Sequence, residues 1–374
     1  MDKVVSRADR ERLRGELQAA GVFEHRERAG WAKLGALVSV LVLAYAGVAL
    51  TGGWARLALV PVVAVAATLA TLVGHDGSHG SFSPRGGRNR LLAYLTLPLL
   101  AGISSLYWKH KHDGLHHGNP NVAVKDPDVD LWPMASSRAD YERAAPLQRW
   151  YQRHLQAYLF WPSTVALPLT MRVPSYRHLA RRLRGRGPKR AALLDAGCLA
   201  LHYALWLLVP ALLWGPLPAL ALYAAAWALA GLMLAAVFAP AHIGLPVMVD
   251  RYRGLRHALE TTRNVRTPRW LSFFYVGLDY QIEHHIFPQI PHQNLRRAGE
   301  IMRRWCAEVG LPYHEAGVGE GLASATAFLR DAWQIDALSA QGGSPRGLGL
   351  AGAAPEGPPS GGAFEPLDAP ALHS

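Results

Sequence analysis

Histidines in this sequence are grouped rather than scattered. The segment KHKHDGLHHGNPN (109–121) contains four histidines within eight residues. Two more are four positions apart in GHDGSHGSF, and another two are adjacent in DYQIEHHIFP. A spacing of four brings two side chains to one face of a helix, and imidazole is a ligand that suits iron, zinc, copper and nickel. The pattern therefore predicts metal chemistry.

We predict that eight histidines share one site. They are His75, His79, His112, His116, His117, His242, His284 and His285. A catalytic zinc ion takes about three protein ligands, so eight imidazoles are too many for one such ion and favour two closely spaced ions. Cys198 and Cys306 are the only cysteines, which disfavours a thiolate site or an iron–sulfur cluster.

Carboxylates lie within and beside these histidine groups. A ligating imidazole usually donates its second N–H to a carboxylate or a carbonyl. We therefore predict that acidic neighbours orient the ligands without binding metal themselves. The candidates are Asp76, Asp113, Glu283 and Asp128, with Asp126 and Asp130 from the same KDPDVD segment as Asp128.

Long apolar runs predict an integral membrane protein. A spanning helix needs about 20 mostly apolar residues. Four runs qualify, at about 32–51, 55–73, 191–214 and 218–238. Very short connections join the first to the second and the third to the fourth, which predicts two helical hairpins. Segments 91–106 and 155–171 are shorter or interrupted by proline, so we interpret them as interfacial or re-entrant helices.

The basic residues predict which side of the membrane each loop occupies. The net charge of +12 is concentrated beside apolar runs, as in RRLRGRGPKR (181–190). This pattern is typical of cytoplasmic loops and does not require a nucleic-acid partner. Both termini are then cytoplasmic. Every predicted ligand follows an even number of spans, so all eight should reach the cytoplasmic face.

These features predict an all-α integral membrane protein in which two hairpins lie beneath a cytosolic helical cap that holds the two metals. Residues 1–31 should form an N-terminal amphipathic helix, and 32–315 the membrane domain with its cap. Residues 316–340 should be a C-terminal helical segment. The Gly- and Pro-rich stretch 341–374 should be a disordered tail.

At this point the sequence resembles the membrane fatty acid desaturases. GHDGSHGSF, WKHKHDGLHHGNPN…KDPDVD and GLDYQIEHHIFPQIPHQNL are similar to that family's three histidine boxes, and the QxxHH third box is similar to the acyl-lipid and front-end type. The resemblance covers about residues 70–315. It implies two irons held by the eight histidines, with O2 as co-substrate. The implied reaction is insertion of a double bond into an acyl chain carried by a lipid, coenzyme A or a carrier protein.

The resemblance also identifies departures from the family's pattern. Gln281 stands where many members have a ninth histidine, and could ligate weakly, bind through water or leave the position open. Ala241 and Asp279 stand where relatives often have asparagine. The sequence lacks a His-Pro-Gly-Gly motif, so we expect no fused haem domain. Electrons should then come from a separate ferredoxin or flavin reductase.

Two other functions remain open from the sequence. A hydroxylase or other oxygenase of the same superfamily would use the same ligands on a lipid or a specialised metabolite. A membrane metal transporter should instead have ionisable residues near the middle of its spans. Only Asp195 and His202 interrupt the third apolar run, and we predict that both lie near its cytoplasmic end.

Overall fold

The structure, a computed structural model, describes residues 5–252 and 254–340, so the predicted tail 341–374 lies outside the described residues. The described chain is mostly helical. The α-helices and strands are α1 (Arg7–Ala19), α2 (Glu27–Leu50), α3 (Gly53–His79), α4 (Gly86–Thr96), α5 (Ser105–Trp108), α6 (Arg138–Arg143), α7 (Pro146–His154), α8 (Gln156–Ser163), α9 (Leu167–Arg184), α10 (Arg190–Tyr203), α11 (Val209–Trp214), α12 (Pro216–His242), α13 (Arg256–Thr261), β1 (Asn264–Arg266), α14 (Arg269–Tyr275), α15 (Gln281–Ile286), α16 (Leu295–Val309), β2 (Glu315–Gly317) and α17 (Val318–Asp331). Three π-helical segments extend α4, α5 and α10; they are Leu97–Ala101, Lys109–His116 and Ala204–Leu208. Short 3-10 turns occupy Thr164–Ala166, His292–Asn294 and Ala332–Gln334.

In the part of the chain that the structure describes, four helices are long and apolar enough to cross a membrane. They are Glu27–Leu50, Gly53–His79, Arg190–Trp214 and Pro216–His242. Each contains one of the four predicted apolar runs almost whole, but α3 and α12 continue beyond the apolar residues to a histidine. α3 ends where Gly80 adopts a left-handed conformation, with φ of 72°. His75 and His79 therefore lie on the last turns of α3, and His242 lies on the last turn of α12.

The four long helices differ in how deeply they are buried within the protein. In the most apolar stretch of α3, 56% of residues are buried, and in α12 44% are. The corresponding values are 28% in α2 and 22% in the helix formed by α10 and α11. α3 and α12 are thus the inner helices, and side chains such as Leu43 on α2 and Leu212 on α11 remain exposed. That exposure suits a lipid environment.

The chain bends sharply between α4 and α5. Gly86–Ala101 and Ser105–His116 meet at 107° after a break of three residues. The predicted re-entrant or interfacial segment 91–106 covers this bend. The second such segment, 155–171, begins directly after α7 and contains all of α8 and the start of α9, with a 3-10 turn between α8 and α9. Neither segment forms a single long straight helix.

A separate hydrophobic core joins the N-terminal helix α1 to α13, α15 and α16. Leu13 and Leu17 of α1 are fully buried in the same cluster as Met302 and Trp305 of α16. β1 pairs in parallel with β2, with Asn264 opposite Glu315. This pairing connects the segment before α15 to the start of α17. It therefore helps to position α15, which contains His284 and His285.

Candidate metal centre

Four separate elements bring the eight predicted histidines together. His75 and His79 lie on the last turns of α3, and His242 is the last residue of α12. His112 and His116 lie in the π-helical segment Lys109–His116, where each turn accommodates an extra residue. His117 directly follows that segment, and the adjacent His284 and His285 lie in α15. Residues more than 200 positions apart in the sequence therefore share one site.

Five of the histidines form one compact group. They are His75, His79, His112, His117 and His284, and each offers a ring nitrogen within 4.8 Å of the others. Nε2 of His75 lies 2.7 Å from Nε2 of His112 and 3.2 Å from Nε2 of His79. Nε2 of His117 lies 3.2 Å from Nε2 of His112. The ring nitrogens thus converge on one point rather than pointing to separate partners.

The other three histidines form a second group beside the first. His116, His242 and His285 have ring nitrogens within 4.8 Å of one another, and each pair of ring centroids is 4.9 Å apart. The ring of His285 also stacks on that of His117, with centroids 4.3 Å apart. The two groups are therefore adjacent, which is the arrangement that two closely spaced ions require.

The chemical state of these rings fits metal binding. Nδ1 of His117, Nε2 of His284, Nδ1 of His285 and both ring nitrogens of His242 are buried without a hydrogen-bond partner among the described residues. Burial and the neighbouring imidazoles hold the pKa of His117, His284 and His285 well below the usual range. Neutral imidazole is the form that binds metal. A bound ion would satisfy such unpaired nitrogens of neutral rings.

Gln281 belongs to the three-histidine side of the site. Its side chain is buried at the start of α15 and interacts with His242. Its Nε2 has no hydrogen-bond partner among the described residues. The amide is therefore beside the smaller group, where a fourth ligand or a bound water would complete the coordination.

The carboxylate that orients His116 is Asp126. Nδ1 of His116 lies 3.0 Å from both carboxylate oxygens of Asp126, which is 1% exposed. Asp128 is more distant, at 3.5 Å, and its side chain is 41% exposed and pairs with Lys111. Both were candidates from the sequence, and the structure puts the buried one in contact. Asp113 lies 3.7 Å from Nδ1 of His79. Burial and the nearby Asp140 raise the pKa of Asp130.

Two of the predicted orienting carboxylates have other partners. Asp76 accepts a hydrogen bond from Nδ1 of His292 at 2.6 Å. No sequence pattern distinguishes His292 from the isolated histidines. Glu283 accepts hydrogen bonds from Asn264 and Tyr313, each at 2.8 Å. Burial raises the pKa of Glu283 to about 7. These carboxylates connect the ligand-bearing helices to their surroundings rather than to a ligand.

The end of α12 is held by a residue that the sequence did not single out. Arg263 donates to the carbonyl oxygen of Pro240 at 2.9 and 2.6 Å, and to that of Ile243 at 3.0 Å. The last carbonyls of a helix lack partners within the helix, and a cation there is favoured by the helix dipole. Arg263 therefore fixes the turn that carries His242, which follows Ala241 rather than asparagine.

Buried charges hold both sides of the bend between α4 and α5, which precedes His112, His116 and His117. Arg172 donates to the carbonyl oxygen of Ala101 at 3.1 and 2.8 Å, at the end of the first helix. Asp195 accepts from the backbone N–H groups of Ser105 and Leu106 at 3.2 and 3.1 Å, at the start of the second. Each charge has the sign that its helix end favours. An acidic residue inside an apolar run was the only sequence signal for this cap.

One prediction about the third apolar helix is wrong. Asp195 is the sixth residue of the helix Arg190–Trp214 and lies near its start, as predicted, but His202 is the thirteenth and lies at its middle. The ring of His202 contacts the carbonyl oxygen of Leu99 at 3.0 Å and the hydroxyl of Tyr223 at 2.9 Å. Its polarity is satisfied because the bend at Gly102 reaches that depth.

Comparison with known proteins identifies relatives of this arrangement. Over 308 residues the chain is 26% identical to fatty acid desaturase 3 from Bos taurus, a match covering 80% of this chain and 67% of the relative. It is 25% identical over 343 residues to a delta 8-(E)-sphingolipid desaturase from Kluyveromyces lactis, covering 83% and 56%. It is 29% identical over 262 residues to an acyl-lipid (9-3)-desaturase from Borago officinalis, covering 65% and 56%.

The chain thus spans between about half and two thirds of the length of these relatives. Residues 52–317 match the fatty acid desaturase family, and this match includes all eight histidines, Gln281 and the residues that orient them. It covers well over half of the chain. On this match, the chain belongs to the fatty acid desaturase family.

Proposed function

We propose that this chain is an O2-dependent oxidoreductase that introduces a double bond into a fatty acyl chain at a non-haem di-iron centre. The observation that carries the proposal is the division of eight histidines, six of them buried, into adjacent groups of five and three. The relatives are desaturases whose names refer to fatty acids, acyl lipids and sphingolipids. These names support an acyl chain of a lipid as the substrate class.

Each group would hold one iron. Together the two irons would supply the oxidising power that removal of hydrogen from an unactivated methylene requires. The chain's own residues prepare the site. Asp126 fixes the ring of His116 so that Nε2 is available for binding. Trp108 stacks on His112, with centroids 4.5 Å apart, and restricts that ring.

We also propose the arrangement in the membrane. α2 with α3, and α10–α11 with α12, would form two hairpins, with the remaining elements as a cytosolic cap and both termini in the cytoplasm. The very short connections at residues 51–52 and 215 support the hairpins. Residues 1–31, 32–315 and 316–340 would act as N-terminal helix, membrane domain with cap, and C-terminal helical segment. A ferredoxin or a flavin reductase would supply the electrons.

The test is the lipid profile of cells that express the chain. Fatty acid methyl esters would be analysed by mass spectrometry beside H284A/H285A, which removes one histidine from each group, and H154A, which removes a histidine outside both groups. We expect new unsaturated species, 2 Da lighter than their precursors, with the wild type and H154A only.

Other outcomes have definite meanings. Products 16 Da heavier than their precursors would show that the enzyme is a hydroxylase rather than a desaturase. Full activity in H284A/H285A would contradict the metal site. Iron content of the purified proteins, measured by plasma mass spectrometry, distinguishes a missing metal from a missing electron donor.

A further inference from the structure

A basic cavity lies outside the histidine site. It has a volume of about 330 Å³ and is bounded by the end of α9, the connection to α10 and the start of the π-helical segment 109–116. The side chains that line it and can carry positive charge are His110, His178, Arg181, Arg182 and Arg186. None of these is used by the metal centre, so the cavity calls for a separate explanation.

The positive charge in this cavity is not compensated by the protein. Among the described residues, no acidic side chain lines it. Among the ion pairs of residues 5–252 and 254–340, none involves Arg181, Arg182 or Arg186. Burial, His110 and the two nearer arginines all lower the pKa of His178. A bound anion would offset this repulsion.

A second cavity shows that such imbalance is not general in this protein. That cavity is lined by Arg26, Arg28 and Arg88, among others, and also by Glu27. Glu27 accepts a hydrogen bond from Arg88 at 2.5 Å and another from Ser83 at 2.9 Å. Its positive charge is therefore partly neutralised within the protein, whereas that of the first cavity is not.

Two stacked imidazoles form one wall of the basic cavity. The rings of His110 and His178 have centroids 5.1 Å apart and an interplanar angle of 24°. His110 precedes His112 by two positions, which turns it to roughly the opposite side of the helix. The helix thus presents His112 to the metal centre and His110 to the cavity. This accounts for the one histidine of 109–117 that lies outside both metal groups.

The position of the cavity suggests the source of an anion. Arg186 lies in the connection that leads directly to Arg190, the first residue of the third membrane-spanning helix. The end of such a helix lies at the level of the lipid headgroups, where phosphates attract arginine and lysine. Guanidinium groups match phosphate oxygens with paired hydrogen bonds.

We propose that this cavity binds the phosphate group of a membrane phospholipid. Arg181 and Arg186 donate to the phosphate oxygens, and the stacked imidazoles close the opposite wall. The acyl chains extend along the apolar surface of the third span. The proposal goes beyond the proposed function, because phospholipid binding requires neither iron nor oxidation. Either one can fail without the other.

The experiment measures phospholipid bound to the full-length protein in detergent. The protein is delipidated, titrated with dioleoylphosphatidylglycerol and examined by native mass spectrometry. R181Q/R186Q is compared with R85Q/R90Q, which removes two exposed arginines at the start of α4, outside both cavities. Each arginine at a membrane surface contributes about fivefold to binding of an anionic lipid, so R181Q/R186Q should bind at least about tenfold more weakly. The control should bind as the wild type does.

Two further measurements identify the ligand and do not depend on the variants. Inorganic phosphate and glycerol 3-phosphate are added as competitors, and diacylglycerol replaces the phospholipid. The proposal predicts weak competition and no binding of diacylglycerol. Equal affinity for inorganic phosphate would overturn the lipid source in favour of a soluble phosphate. Equal binding by R181Q/R186Q and wild type, or equal loss in R85Q/R90Q, would overturn the site itself.

Discussion

Nδ1 of His292 lies 2.6 Å from a carboxylate oxygen of Asp76, 216 positions earlier in the chain. The backbone N–H of His292 is also 3.3 Å from both oxygens of that carboxylate. Asp76 directly follows His75, and His292 follows His284 and His285 in the sequence. This contact therefore holds the end of α3 against the segment that follows α15, and it involves none of the eight predicted ligands.

We predict that Asp76 and His292 are energetically coupled. D76N and H292N should each lower the free energy of unfolding by about 1.5–3 kcal/mol, because each leaves a buried polar partner unsatisfied. The double variant should lose less than the sum, because the partners share one interaction. Thermal unfolding of the four proteins in detergent tests this. The exposed pair Arg330 and Asp331 provides the control, for which losses below about 1 kcal/mol are expected. Strict additivity at Asp76 and His292 would refute the coupling.

Asp126 and Asp128 should differ in their effect on metal binding. D126N should lower iron affinity about 10- to 100-fold, because it weakens the hydrogen bond that orients His116. D128N should change it little, because Asp128 is further away and pairs with Lys111. Iron retained during dialysis against a chelator measures the difference. Similar losses in both variants would mean that negative charge near the site, rather than orientation, matters.

The two histidine groups should lose iron unequally. H242A leaves only two histidines in its group, whereas H79A leaves four in the larger one. Since catalytic metals usually keep about three protein ligands, H242A should retain about one iron per chain and H79A nearly two. Plasma mass spectrometry of purified protein gives the count. Retention of both irons in H242A would show that Gln281 and solvent can replace His242.

The bend between α4 and α5 should require glycine at position 102. Gly102 has φ of 69°, and a Cβ there would lie 2.7 Å from Nε2 of His202. G102A should therefore destabilise the protein by more than about 1 kcal/mol. G197A is the matched control, because its Cβ would meet nothing within 4 Å and it lies in the nearby helix α10. Equal melting temperatures of G102A and wild type would contradict the prediction.

Asp195 should position the helix Ser105–His116, which contains His112 and His116. It accepts hydrogen bonds from two backbone N–H groups and from the hydroxyls of Ser104 and Ser105. D195A should lower both the melting temperature and the iron content, because it leaves these donors unpaired in a buried place. D195N keeps acceptor capacity and should restore much of both. If D195A lost stability but bound iron normally, the cap would be structural only.

Sequence alone identified the eight histidines that the structure brings together, and it predicted the four helices that are long and apolar enough to cross a membrane. Apolar runs of about 20 residues require a helix in a bilayer, because every backbone group must be satisfied within the segment. The histidine spacings required helical faces. The family resemblance that these motifs carry is confirmed by the match over residues 52–317.

Tertiary structure decided how the eight histidines divide and what holds them. The division into five and three separates the neighbours His116 and His117, and also His284 and His285, because adjacent residues on a helix point in different directions. No local pattern could pair Asp76 with His292, or Arg263 with the end of α12, since these contacts depend on how distant helices pack. The same holds for Arg172 and Asp195, whose burial is tolerable only because a bend in another segment supplies the hydrogen-bonding groups that satisfy them.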